Sequence, residues 1–165
     1  MKRASLLIAV CMMAAVSCNS FSEQESLREK VEAASAGNAA LNSLPEKDFD
    51  ALNRHLEKGE SDWIQLVPAL AKRTDSSYSE ELTISLAKGL AVNPAAVLSI
   101  LDENDSPVSI KRVCSIPFIE ISDKKADAYV RNANASISKV TNPMLQGRKK
   151  SCLNVLNLPP GTPVE

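Results

Sequence analysis

A single histidine, His55, stands among 165 residues. This excludes a histidine-built metal cluster and any H-E-x-x-H motif. The five glycines, at 37, 59, 89, 147 and 161, are isolated from one another. They form neither the G-x-S-x-G elbow of a serine nucleophile nor a loop that cradles phosphate. The aromatic residues are only Phe21, Phe49, Trp63, Tyr78, Phe118 and Tyr129, too few and too scattered for a glycan platform. No base-stacking rings accompany the lysines, which argues against a nucleic-acid partner. The longest apolar run, Leu6 to Val16, is too short to span a bilayer as a helix.

The remaining candidates for chemistry are weak. His55 lies between Leu52 and Leu56 on a predicted helix and reads as a solvated surface histidine. Asp48 with Asp50, and Glu80 with Glu81, read as carboxylates favoured near helix starts. The stretch DENDS at 102–106 lacks the glycine and the distant glutamate of a calcium loop. Asn134-Ala135-Ser136 fits a glycosylation sequon but falls in the middle of a predicted helix. No catalytic residue, cofactor or metal is expected.

The amino end does carry a message. Lys2 and Arg3 precede the apolar run, and the small residues Ala15 and Ser17 stand three and one positions before Cys18, the pattern of a cleaved secretory signal over residues 1–17. Ala15-Val16-Ser17-Cys18 resembles the lipobox of bacterial lipoproteins, with Ala15 where that family usually has Leu. The resemblance implies that Cys18 is acylated and becomes the new amino terminus; the alternative is a plainly secreted chain. Cysteine parity favours lipid. Cys11 leaves with the signal, Cys18 takes the lipid, and Cys114 and Cys152 remain as a pair expected to be disulfide-bonded in an oxidising compartment. Asn19 is not the aspartate that commonly holds lipoproteins in the inner membrane, so the expected address is the periplasm with a lipid anchor, the outer membrane being favoured and the lipid being the only membrane contact.

Without the first 17 residues, 148 remain, one domain of ordinary size. Charge is unevenly spread along it: residues 18–105 hold 8 basic and 16 acidic side chains, residues 106–165 hold 9 basic and 4 acidic. The two portions either face each other, lie separately in solvent, or present a polar binding face. For the third case the candidate partner-binding residues are Arg148, Lys149 and Lys150, together with Lys124, Lys125, Arg131 and Lys139. All are expected to lie opposite the apolar stripes of their helices and stay solvated.

The spacing of apolar residues predicts an all-α domain over 18–157, with a flexible tail over 158–165. Ser22 with Glu25 opens a first helix striped by Leu27, Val31 and Ala34 and ended by Gly37. Ser43 with Glu46 opens a second, with Pro45 in its first turn, and Gly59 closes it. A third starts at Ser61 and contains Pro68, which predicts a kink or a break. Ser77 with Glu80 precedes Leu82, Leu86 and Leu90; Asn93-Pro94 ends that helix and starts the next. Residues 106–122 fit either a short helix opened by Ser106-Pro107 and followed by a loop, which is favoured, or an extended segment, which the β-branched residues and Pro117 also suit. Ala126, Val130, Ala133, Ile137 and Val140 give the strongest helical pattern, and Asn142-Pro143 opens the last helix. About seven helices of this kind pack as stacked antiparallel hairpins or an irregular bundle.

The run from GESDWIQLVPAL through LAKGLAVNPAAVLSILD and RVCSIPFIE to the late Cys152-Leu153 resembles small, uncharacterised exported helical proteins of Gram-negative bacteria. It covers residues 59–153 and implies an address without an activity. The functional expectation is a non-enzymatic envelope lipoprotein that binds another protein, an immunity-type toxin inhibitor being the most concrete form. The alternatives are a structural or assembly factor of the envelope and a small hydrolase using an unrecognised carboxylate pair.

Overall fold

The computed structural model describes residues 25–37, 44–73, 76–104, 106–116 and 122–159. The described residues form an all-α bundle without strands, around one buried apolar cluster running from Leu27 to Leu156. Helix α1, residues 25–36, turns Leu27, Val31 and Ala34 inward as its spacing requires, and Gly37 ends it in the left-handed region at φ 87°. Its expected cap, Ser22, lies outside the described residues. The helix has few large apolar side chains, and polar ties supplement them. Lys30 Nζ meets Asp48 Oδ2 at 2.7 Å, and the Arg28 guanidinium lies 5.7 Å from the centre of the Trp63 ring.

Helix α2, Glu46–Glu57, buries Phe49, Leu52 and Leu56. Pro45 stands outside the helix as its N-cap, at ψ 142°, rather than within the first turn. Its carbonyl accepts from the amides of Asp48 and Phe49, and Ser43 lies outside the described residues. The expected break at Pro68 is present: α3 is Ser61–Ile64 and α4 is Val67–Ala71, with Pro68 in the first turn of the second piece. A continuous helix would have driven the Pro68 ring into the carbonyl of Ile64 and left that carbonyl without a donor.

Helix α5, Ser76–Val92, is the element the others pack against. Leu82, Leu86 and Leu90 recur one turn apart and are fully buried. The helix begins at Ser76, so Ser77 sits in its first turn rather than capping it. Asn93 caps α6, Pro94–Ile100, by accepting from the Ala96 amide at 3.3 Å. Helix α7, Ile110–Val113, opens at Ser109, whose hydroxyl accepts from the Arg112 amide, not at Ser106-Pro107. Ser106 instead donates to the Asp102 carboxylate, and a single bridge pairs Asp102 with Ser109. Helix α8, Asp123–Ser138, buries Ala133 and Ile137, with Val130 packed beside them. Asn142 caps a 3-10 turn, Pro143–Leu145, which runs into α9, Gln146–Leu156.

The expected disulfide is present between Cys114, just after α7, and Cys152 in α9, with both residues fully buried and S–S 2.01 Å. At a sequence separation of 38, the chain-entropy model gives about 4 kcal/mol as an upper figure for its stabilisation.

Helices α2 and α5 approach closely at Gly89 of α5, where a Cβ would run into the carbonyl oxygen of Leu56 on α2. That oxygen belongs to the backbone and cannot swing aside. Gly89→Ala should therefore destabilise the fold by roughly 1–3 kcal/mol in urea unfolding, although alanine is the better helix former. A variant as stable as the parent would show that α2 and α5 can separate at no cost.

Tyr129 of α8 donates to the carbonyl of Ala87 at 3.1 Å, and burial pushes its phenol above the ordinary value. Above about pH 10 the unfolded chain releases this proton while the folded chain keeps it, so stability should fall as pH rises further. Tyr129→Phe should be less stable at neutral pH by about 1 kcal/mol and lose less between pH 10 and 11. Parallel alkaline profiles for the two proteins would contradict this.

Candidate interaction surface

Of the three basic residues expected to face a partner, the structure leaves one in solvent. Arg148 Nη1 donates to the carbonyls of Ser99, at 2.9 Å, and Leu98, at 3.4 Å, in the last turn of α6. Lys149 Nζ donates to Ser138 O at 2.7 Å and Val140 O at 2.9 Å, at the end of α8. Both side chains are half-buried, whereas Lys150 is exposed. The expectation that all three stay solvated is corrected for Arg148 and Lys149. They satisfy carbonyls that have no partner within their own helices, at ends where the helix dipole favours a cation.

A sequence signal for this existed. Cations in the first turn of α9 oppose that helix's own dipole, which is unfavourable unless the charge serves another element. Gln146 adds to the same joint by donating to the carbonyls of Val140 and Asn142.

Among the described residues, the ion pairs all lie between residues 28 and 88. Lys124, Lys125, Arg131 and Lys139 on and just after α8 are exposed and take no part in them. Residues 124, 131 and 139 recur about two turns apart, which sets their side chains in a row opposite the buried Ala133 and Ile137.

The described residues also carry two grooves. One, of about 280 Å³, runs between α2 and α5 and is polar. Asp50, Glu57 and Glu81 line it. Glu57 is tied to Lys88 at 2.6 Å and Glu81 accepts from Asn53 Nδ2 at 3.3 Å. Asn53 Oδ1 is buried there without a hydrogen-bond partner.

The second groove, of about 430 Å³, opens where the α5–α6 junction faces the end of α8. Val92, Pro94 and Ala95 form one side, and Ser136, Lys139 and Val140 belong to the other. Both walls are held from behind. Ser136 Oγ donates to Ala91 O at 2.6 Å, and Asn93 is fastened to Gly59 O at 2.8 Å as well as capping α6.

The other candidates fall in structural roles. His55 is not solvated: its side chain is 15% exposed, its ring stacks on Trp63 with centres 4.3 Å apart, and Nδ1 meets Glu60 Oε2 at 2.7 Å. Asp48 is buried against Lys30, and Asp102 is engaged by Ser106 and the Asn104 amide. Among the described residues no three His, Cys, Asp or Glu side chains gather as a metal site, and no helix is long and apolar enough to cross a membrane. Cys18 lies outside the described residues.

No family model matches the chain, and neither does any curated protein or solved structure.

Reversing Arg148 or Lys149 to Glu would set a carboxylate against helix-end carbonyls. Each change should lower stability by roughly 1–3 kcal/mol, while Lys150→Glu stays within about 0.5 kcal/mol. Thermal melts of the three variants decide this; three equal melts would mean that the caps contribute nothing.

Proposed function

We propose that the chain is an exported, lipid-anchored, non-enzymatic envelope protein that binds an acidic protein partner through the basic row on α8. An immunity-type inhibitor of a periplasmic toxin is the most concrete form of this reading. The observation that carries it is the row itself: Lys124, Arg131 and Lys139 stand exposed outside every ion pair of the described residues. The exposed Asp127 lies between Lys124 and Arg131 on the same face, so the row is net basic rather than uniformly so. Its cations steer an oppositely charged partner and fix its register. The bundle beneath is held by a disulfide and by side-chain caps, so little ordering remains to be done on binding.

The lipid anchor is supported by Ala15-Val16-Ser17-Cys18 and by the bond between Cys114 and Cys152, which leaves Cys18 free of the body's own pairing. Its thioether-linked chains would hold the domain to the membrane far more durably than surface charge.

Two measurements test these statements. With the partner captured from envelope extract on the tagged mature domain, Lys124→Glu combined with Arg131→Glu should slow association roughly ten-fold and flatten its salt dependence, with an unchanged melt. Unaltered kinetics would remove the row from the interface. Cys18→Ala should shift the protein from the membrane to the soluble envelope fraction; a parent protein already soluble there would defeat the anchor.

A further inference from the structure

Resting on that reading, we infer that the groove between the α5–α6 junction and the end of α8 receives a large apolar side chain of the partner, flanked by a carboxylate that meets Lys139. The argument begins with Val92, the last residue of α5. It is 62% exposed, although Leu82, Leu86 and Leu90 of the same helix are fully buried. Pro94 and Ala95 continue it into an apolar wall, and Val140 stands across the gap as part of the other side. An apolar surface left open beside a polar rim is the ordinary make-up of a recognition pocket.

The charge of the site selects the partner's chemistry. No Asp or Glu lines the groove, and Lys139 is its one ionic group. The same lysine is the last cation of the α8 row, so the groove lies at one end of the basic face. A partner whose acidic surface tracks Lys124 and Arg131 would bring its next carboxylate to Lys139 and its neighbouring apolar side chain over Val92 and Pro94. A steering face and a buried anchor are the two parts a specific interface needs, the first for encounter and the second for residence.

The groove is also preformed. The side chains of Asn93 and Asn142 are both fixed in caps, by Ala96 N and by Met144 N at 3.0 Å, and Ser136 ties α8 to α5. Binding there would order little that is now loose.

The test uses the Cys18→Ala chain, otherwise complete, with three fluorescent Gly/Ser decapeptides whose central residues are Asp-Phe-Asp, Asp-Ser-Asp or Lys-Phe-Lys. Polarisation should show saturable binding of Asp-Phe-Asp, about ten-fold tighter than either control. Val92→Lys should abolish that preference, and Lys139→Glu should weaken binding of Asp-Phe-Asp about five-fold; both positions are exposed, so each variant should melt like the parent. Lack of saturable Asp-Phe-Asp binding, or equal binding of Asp-Phe-Asp and Asp-Ser-Asp, overturns the groove. So does a full preference retained by Val92→Lys. The broader reading fails separately: if Lys124→Glu with Arg131→Glu leaves association with the captured partner unchanged, the row is not the docking face, whatever the peptides do.

Discussion

The contact between Gly89 and the Leu56 carbonyl sets the geometry of half the molecule. Because α5 has no side chain at that point, the end of α2 comes down on its backbone, and the same carbonyl accepts from the Gly59 amide at 2.9 Å. Gly59 turns the chain at φ 70°, a conformation that costs other residues but not glycine. Its own carbonyl then takes a hydrogen bond from Asn93, which caps α6 and also reaches the Ser61 hydroxyl at the start of α3. Four helix ends are thus fastened within a few residues of one another. Lys88 and Glu57 pair alongside, which adds a polar clasp at the rim of the same contact.

The later part of the chain is organised differently. Where the first part uses ion pairs between side chains, the later part spends its cations on helix ends, with Arg148 on α6 and Lys149 on α8. A side chain that donates to carbonyls needs no acid nearby, so neither Arg148 nor Lys149 requires a countercharge where it sits. The consequence is a division of labour among residues of one sign. Those at the α9 start hold the bundle, and those along α8 are left to face outward.

Local signals carried much of the architecture. Pro68 broke its helix, Gly37 and Gly59 ended theirs, and Asn93 and Asn142 capped the segments that follow, because each acts through the backbone of its own neighbours. The pairing of Cys114 with Cys152 followed from having only two thiols in the body. What could not be read were the meetings of distant segments. Nothing in the spacing around Arg148 says that the end of α6 lies beside it, nor that Trp63 would cover His55. Helix α7 is capped by Ser109 and not by Ser106, which turns to the Asp102 carboxylate instead. Of the candidate surface, the residue types were legible, and so was the anomaly of cations at the start of α9, but not which helix ends they serve.

Both asparagines that cap helical segments, Asn93 and Asn142, are followed by proline. Asparagine in a long-lived protein ages when the next residue's backbone nitrogen attacks the side-chain amide, closing a ring that opens to aspartate or isoaspartate. Proline has no amide hydrogen to lose, so both caps are closed to that route. The same dipeptide that starts a helix therefore also spares its cap that one route of decay, at two positions that line the groove between α5 and α8.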